Sequence, residues 1–295
     1  MKFFEKNPII MLMIGVLGVS VSAILVRLAE APSAVVATLR LSWTVLLLTP
    51  MVFLKKENRE ELLKVERKKL FLCAVSGVCL AFHFLSWFES LKHTSVASSL
   101  AFGCTEVIWV SIGFCLFMKG KLSKKEILCI AITMIGSLFI AYADSGTGGR
   151  HLYGDMLALL CAVFVSAYTL IGREARKTMT TTVYTYIVYI ACAIVLIGIT
   201  LLQRYSVAEF DTRAVVTSFF LAVFSTLLGH SIFSWCLKYF SPSFVAASKL
   251  CEPVIASVIA VFLFDEIPVP MQLIGGIIVL IGVFFYSKVE GEVAE

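Results

Sequence analysis

The sequence predicts an all-α polytopic membrane protein, with ten transmembrane helices in two inverted five-helix repeats. Three observations carry this expectation. The 295-residue chain is 59% hydrophobic and 15% charged, whereas soluble chains average roughly 45–50% apolar and about 25% charged. Apolar runs of about 20 residues, the length that crosses a bilayer core, recur almost back to back. The chain also aligns with itself at an offset of 146 residues.

The expected spans are 8–28, 32–54, 69–91, 95–118, 125–143, 152–172, 180–202, 214–237, 243–264 and 269–287. The first follows a basic start, MKFFEKNP. It lacks a small-residue cleavage motif and is long enough to span, so it reads as a helix and not a signal peptide. Spans two and three are separated by the longest loop, KKENREELLKVERKK, expected to form a surface helix along the membrane. Within it Glu60 and Lys64 stand at i,i+4 and could support one another. The other loops are short. With the N-terminus inside, 18 Lys and Arg fall on one side and five on the other, while Arg40 and Lys249 lie within spans. The positive-inside rule then places both termini in the cytoplasm, in a plasma or inner cell membrane.

The self-alignment pairs Leu91–Phe139 with Leu237–Phe285 without a gap. Glu106 meets Glu252, Ser95 meets Ser241, Ser111 meets Ser257, and Ile135-Gly136 meets Ile281-Gly282. The stretch DSGTGGRHLY, Asp144–Tyr153, is the natural linker, so 1–146 and 147–295 form the two expected units. Five spans per unit is odd, so the second must enter the membrane from the opposite side. Inverted repeats recur in secondary transporters, with the binding site at the repeat interface near the midplane.

Ionisable groups inside a span are costly and need a partner or a use. Those well inside are Arg40, His83, Glu106, His230, Lys249 and Glu252. Lys249 lies three residues before Glu252, so the two can pair on one face. Pro253 would deprive the Lys249 carbonyl of its helical donor and break the helix there. A freed carbonyl beside a carboxylate and an ammonium suits a ligand or proton site; a self-neutralising pair with a harmless kink is the plainer reading. His83 and His230 could relay protons or be satisfied core histidines. Trp87 shares a face with His83 and would wall a cavity. Arg40 is deep enough to require a carboxylate or an anionic substrate. Arg27, Glu89 and Asp155 stand near span ends and are expected to face water.

Other classes of chemistry leave no trace. The nine cysteines all lie in apolar runs without CxxC spacing and read as reduced core residues, not as metal ligands or disulfides. No phosphate-cradling loop, zinc-ligand cluster or nucleophile elbow occurs, so no cofactor or metal is expected. Partners should be a small organic substrate and the lipid bilayer, without nucleic acid; a homodimer is compatible with the sequence. Gly275-Gly276 and Gly282 suit close helix packing.

The stretch LKYFSPSFVAASKLCEPVIASVIAVFLFDE, ending on Glu266, resembles the late-helix pattern of the EamA-type group of the drug/metabolite transporter superfamily. Its first-half counterpart, LKHTSVASSLAFGCTEVIWVSIGFCLFMKGK, keeps Glu106 but has Val107 for proline and Gly120 for the acidic residue. ATLRLSW places Arg40 where that group commonly has an arginine. The resemblance covers nearly the whole chain. It implies ten helices and alternating access, with transport of amino acids, other metabolites or drugs, most often as export. The expected function is therefore a secondary exporter and not an enzyme, driven by protons or exchange and centred on Glu252, Lys249 and Glu106. An integral-membrane enzyme acting on a lipid or lipid-linked substrate is the alternative.

Overall fold

The computed structural model describes residues 5, 7–94, 96–144, 152–205, 210–264 and 269–294. Among them the chain is helical, with no strand. In lipid a chain must satisfy its backbone groups internally, which helices do within one segment. In order, the elements are α1 (Pro8–Ser20), α2 (Ser22–Leu28), α3 (Ser33–Phe53), α4 (Lys56–Leu63), α5 (Arg67–His93), α6 (Val96–Gly103), α7 (Glu106–Met118) and α8 (Lys124–Asp144). The second half continues with α9 (Leu152–Ala175), α10 (Thr181–Leu202) and α11 (Thr212–Phe220). A π-helical stretch, Leu221–His230, runs into α12 (Ser231–Cys236). Then come α13 (Pro242–Ser248), a 3₁₀ turn at Lys249–Cys251, α14 (Glu252–Phe264) and α15 (Pro270–Ala294). Glu266, part of the late-helix motif, lies outside the described residues.

Six helical units are long and apolar enough to cross a membrane: Pro8–Leu28, Ser33–Phe53, Arg67–His93, Leu152–Ala175, Thr181–Leu202 and Thr212–Cys236. Glu106–Met118 and Leu273–Val289 are shorter apolar helices. The chain is thus a multi-pass membrane protein.

Local chemistry sets the helix starts. Ser123 and Glu126 form a capping box: the Ser123 amide donates to Glu126 Oε2 at 2.6 Å, and the Glu126 amide donates to Ser123 Oγ at 3.2 Å. Asp211 accepts from the Ala214 amide at 2.6 Å and Ser241 from the Phe244 amide at 3.2 Å. Pro8 and Pro242 occupy first-turn positions, where a missing N–H costs nothing. Helix α7 ends with Lys119 in the left-handed region, φ 54°.

The surface helix α4 buries none of its residues. Among the described contacts the Glu60 side chain does not pair with Lys64, which sits just past the end of α4; it pairs with Lys56 at 3.8 Å, an i,i+4 partner inside the helix.

The helices pack in crossed pairs. α1 lies against the π-stretch, α5 against α9, α3 against α10, and α8 against α15; α13 crosses α7. Exchanging the halves at the 146-residue offset returns the first four pairings, whereas the α13–α7 contact has no equally extensive α14–α6 counterpart among the described residues. Small residues permit the closest crossings. A Cβ at Gly136 in α8 would lie 2.8 Å from the Gly275 carbonyl oxygen in α15, and one at Gly282 would collide with Thr133. A Cβ at Gly18 in α1 would lie 2.6 Å from the Phe224 carbonyl oxygen in the π-stretch.

Candidate functional site

Two helix breaks create the site. Between α6 and α7 the chain turns at Cys104–Thr105, and between α13 and α14 it turns at Lys249–Cys251. These turns correspond at the 146-residue offset, and each is followed at once by a glutamate, Glu106 or Glu252, opening the next helix. The first break occurs without a proline, so Pro253 is not what a break here requires. The Lys249 carbonyl is not left free either. It accepts from the Glu252 amide, the i+3 donor that a 3₁₀ turn supplies.

Lys249 pairs across the halves and not along its own helix. Its Nζ donates to Glu106 Oε1 at 2.8 Å and Oε2 at 3.0 Å. The expected Lys249–Glu252 pair is absent among the described contacts. The reason lies in the packing of α13 on α7, which brings the end of one against the start of the other. Glu106 is also fixed in place, since Thr169 Oγ1 donates to its Oε1 at 3.2 Å. The lysine and glutamate side chains are only 13% and 7% exposed. Each supplies the countercharge that such burial demands. Lys249 Nζ also stands 5.0 Å from the Phe233 ring centre. The Glu252 carboxylate, by contrast, makes no hydrogen bond or ion pair among the described residues.

Glu106, Lys249 and Glu252 line one cavity of about 70 Å³, together with His83, His230 and Trp87. One water needs about 10–15 Å³ of such space, so the cavity has room for a few waters. His83 and His230 lie with ring centres 5.8 Å apart. His83 Nδ1 is 3.2 Å from the Cys161 carbonyl oxygen, whereas His230 Nδ1 has no partner among the described residues. Tyr168, 6.0 Å from the His230 ring, shares a hydrogen bond of 2.9 Å with Ser234.

Arg40 stands apart from this cavity. It is 1% exposed, and its Nε donates to Thr226 Oγ1 at 2.7 Å, within the π-stretch. Its guanidinium carbon lies 4.1 Å from the Phe84 ring centre and 5.9 Å from that of Phe88. Nη1 and Nη2 have no partner among the described residues. Thus six of the predicted polar and aromatic residues meet in one cavity, and Arg40 lies behind it.

Several participants escape sequence reasoning. Thr169 and Thr226 look like ordinary small polar residues in apolar helices, and no local pattern marks them as partners of Glu106 and Arg40. The π-stretch likewise has no sequence signature here. Such stretches often occur at functional sites, and this one presents both Thr226 and His230. Cys161, read as core packing, does sit in the core but also contacts His83. Of the residues assigned to span ends, Glu89 accepts from Ser33 Oγ at 2.7 Å, and Asp155 accepts from Thr94 Oγ1 at 2.7 Å.

At the end of the bundle nearest the N-terminus, two arginines bind backbone carbonyls. Arg173 donates to the Leu237 carbonyl and, at 3.1 Å, to that of Phe240. Arg176 donates to the Ser234 carbonyl at 3.1 Å and to that of Met179. These bonds tie the end of α9 to the end of α12.

Comparison with known proteins decides the family. A sequence model of the EamA-like transporter family matches twice, over residues 6–142 and 152–288. The chain belongs to the EamA-like transporter family. The two matches repeat the 146-residue offset at both of their bounds. Among similar proteins, the uncharacterized transporter YwfM of Bacillus subtilis (strain 168) is 23% identical over 219 residues, 73% of each chain. An uncharacterized transporter of Clostridium kluyveri is 24% identical over 219 residues, 72% of this chain and 70% of the relative. A protein known from a crystal structure shares the fold, with a TM-score of 0.77 over 98% of this chain and 99% of that one at 14% identity. For this EamA-family chain the comparisons therefore establish a membrane transporter fold and kinship.

Proposed function

We propose that this protein is a secondary active transporter that exports a small organic metabolite, an amino acid or related compound, or a drug. Transport proceeds by alternating access and is driven by protons or by exchange. Ten spans form two inverted five-helix repeats, with the broken units α6–α7 and α13–α14 as the fourth and ninth spans. Both termini are cytoplasmic, in the plasma or inner cell membrane, so the arginine-tied end faces the cytoplasm.

The observation that carries this reading is the cavity at the two matching helix breaks. It holds one made ion pair, Glu106–Lys249, and one unpaired carboxylate, Glu252. Broken helices that present charges at the midplane are how many secondary transporters build their sites. Glu106 and Lys249 come from opposite halves, so rocking one half against the other must stretch or remake their contact. Glu252 can take up a proton or a cationic group of the solute. His83, His230 and Trp87 shape the wall, and Arg40 supplies a cation behind it.

Counterflow in proteoliposomes tests the reading. Vesicles loaded with unlabelled amino acids, polyamines, nucleosides or quaternary amines are presented with the corresponding label outside. A transporter accumulates intact label for at least one class above protein-free vesicles. Label that is chemically converted would favour the enzyme alternative, and label that neither moves nor changes would reject both.

A further inference from the structure

A second cavity, of about 520 Å³, lies at the opposite end of the bundle from the arginine tie. It is formed where α2 ends, α3 begins and α5 ends, and its lining includes Val26, Arg27, Glu30, Ser33, Phe88 and Lys92. The two cavities stand one above the other. On α1–α2 the central cavity is lined by Val19 and Ser22, and the next turn, Val26 and Arg27, lines the second. On α5 the central cavity is lined by His83 and Trp87, and the following residues, Phe88, Leu91 and Lys92, line the second. The partition is therefore thin: about one helical turn separates the two linings on α1–α2, and on α5 they meet at the consecutive residues Trp87 and Phe88. Trp87 and Phe88 form its aromatic part, with ring centres 5.5 Å apart.

Arg40 lies beside this partition, lining neither cavity, with its guanidinium carbon 4.1 Å from the Phe84 ring centre. Phe88, itself fully buried, lines the second cavity, and its ring centre lies 5.9 Å from the guanidinium carbon. A fully buried guanidinium with two nitrogens unpartnered is costly, and the acceptor that relieves it is a carboxylate placed bidentately. The approach to it carries positive charge. Glu30 is held by Arg213, and Glu89 is occupied by Ser33, Lys92 and His93, while Arg27 has no acidic partner among the described residues. Apart from Tyr205, the remaining lining, including Val26, Val36, Leu91 and the phenyl ring of Phe88, is apolar.

From this geometry we propose a second solute site beneath Phe88. When the Phe88 ring turns aside, the carboxylate of an organic acid with an apolar or aromatic body binds Arg40 Nη1 and Nη2. The body fills the second cavity, and Arg27 and Lys92 steer the anion in. The site is the station between the central cavity and the non-cytoplasmic side. That placement rests on the transporter reading, whereas binding itself is measured without transport.

The test is equilibrium binding of radiolabelled benzoate to the full-length protein in nanodiscs of neutral phosphatidylcholine, where no anionic lipid competes. Benzoate should bind saturably, unlabelled benzoate should compete, and neutral benzamide should not. Arg40→Gln should weaken binding at least about ten-fold, because it removes one partner of a buried charge pair. Phe88→Ala, which removes the covering ring, should tighten it. Arg27→Gln with Lys92→Gln should slow association and flatten its salt dependence. Absence of saturable benzoate binding in the wild type overturns the proposal. So does unchanged affinity in Arg40→Gln or unchanged affinity in Phe88→Ala, the variant that decides the matter if Arg40→Gln does not fold. Arg40-dependent binding without counterflow would reject the transporter reading and keep the site; counterflow with Arg40-independent benzoate binding would do the reverse.

Discussion

Glu106 and Lys249 satisfy one another across the two halves, with both carboxylate oxygens engaged at 2.8 and 3.0 Å. Removing one member leaves the other charge buried alone, which costs about 3–5 kcal/mol. Lys249→Met should therefore lower the melting temperature of the purified protein substantially, and Glu106→Gln with Lys249→Met should recover most of the loss. A double variant as unstable as the single one would contradict the pairing. These charges were legible in the sequence because an ionisable residue within an apolar run has few bland explanations. Their pairing was not. Spacing along one helix favours Glu252 as the partner of Lys249, but the packing of α13 (Pro242–Ser248) on α7 (Glu106–Met118) presents Glu106 instead. Arg40 shows the same limit: its depth is plain from ATLRLSW, whereas Thr226, Phe84 and Phe88 come from elements distant in sequence.

Among the elements, the crossing of α8 (Lys124–Asp144) and α15 (Pro270–Ala294) depends on glycine at Gly136 and Gly282. A side chain at position 136 would push against the Gly275 carbonyl and the Val279 amide, both 2.8 Å from its Cβ. Gly136→Leu should cost about 1–3 kcal/mol of stability. Gly198→Leu in α10 (Thr181–Leu202) is the control, since nothing lies within 4 Å of a Cβ there. Equal losses in the two variants, measured by thermal unfolding in detergent, would remove the packing explanation. The positions of six long helices follow from apolar run length. The breaks are subtler. Pro253 pointed to the one at Lys249–Cys251, but Cys104–Thr105 breaks without proline, and only the self-alignment relates the two turns. The π-helical stretch Leu221–His230 stayed hidden because its residues carry the same apolar pattern as a regular helix.

For the whole molecule, the crossed pairing of helices and the twofold family match at one offset support a duplicated architecture. The arginine tie at one end and the 520 Å³ cavity at the other make the two ends of the bundle unlike. In the proposed orientation, reporter tags on the N- and C-termini should both read cytoplasmic, and an external C-terminus would overturn the assignment of ten spans. The central claim is that Glu252, the unpaired carboxylate of the central cavity, is the centre at which solute or proton binds. Its most direct test is solute flux in proteoliposomes bearing wild-type protein or Glu252→Gln, with folding of each checked by thermal unfolding. The account predicts that the folded variant carries no flux above protein-free vesicles. Flux at the wild-type rate through Glu252→Gln would contradict it.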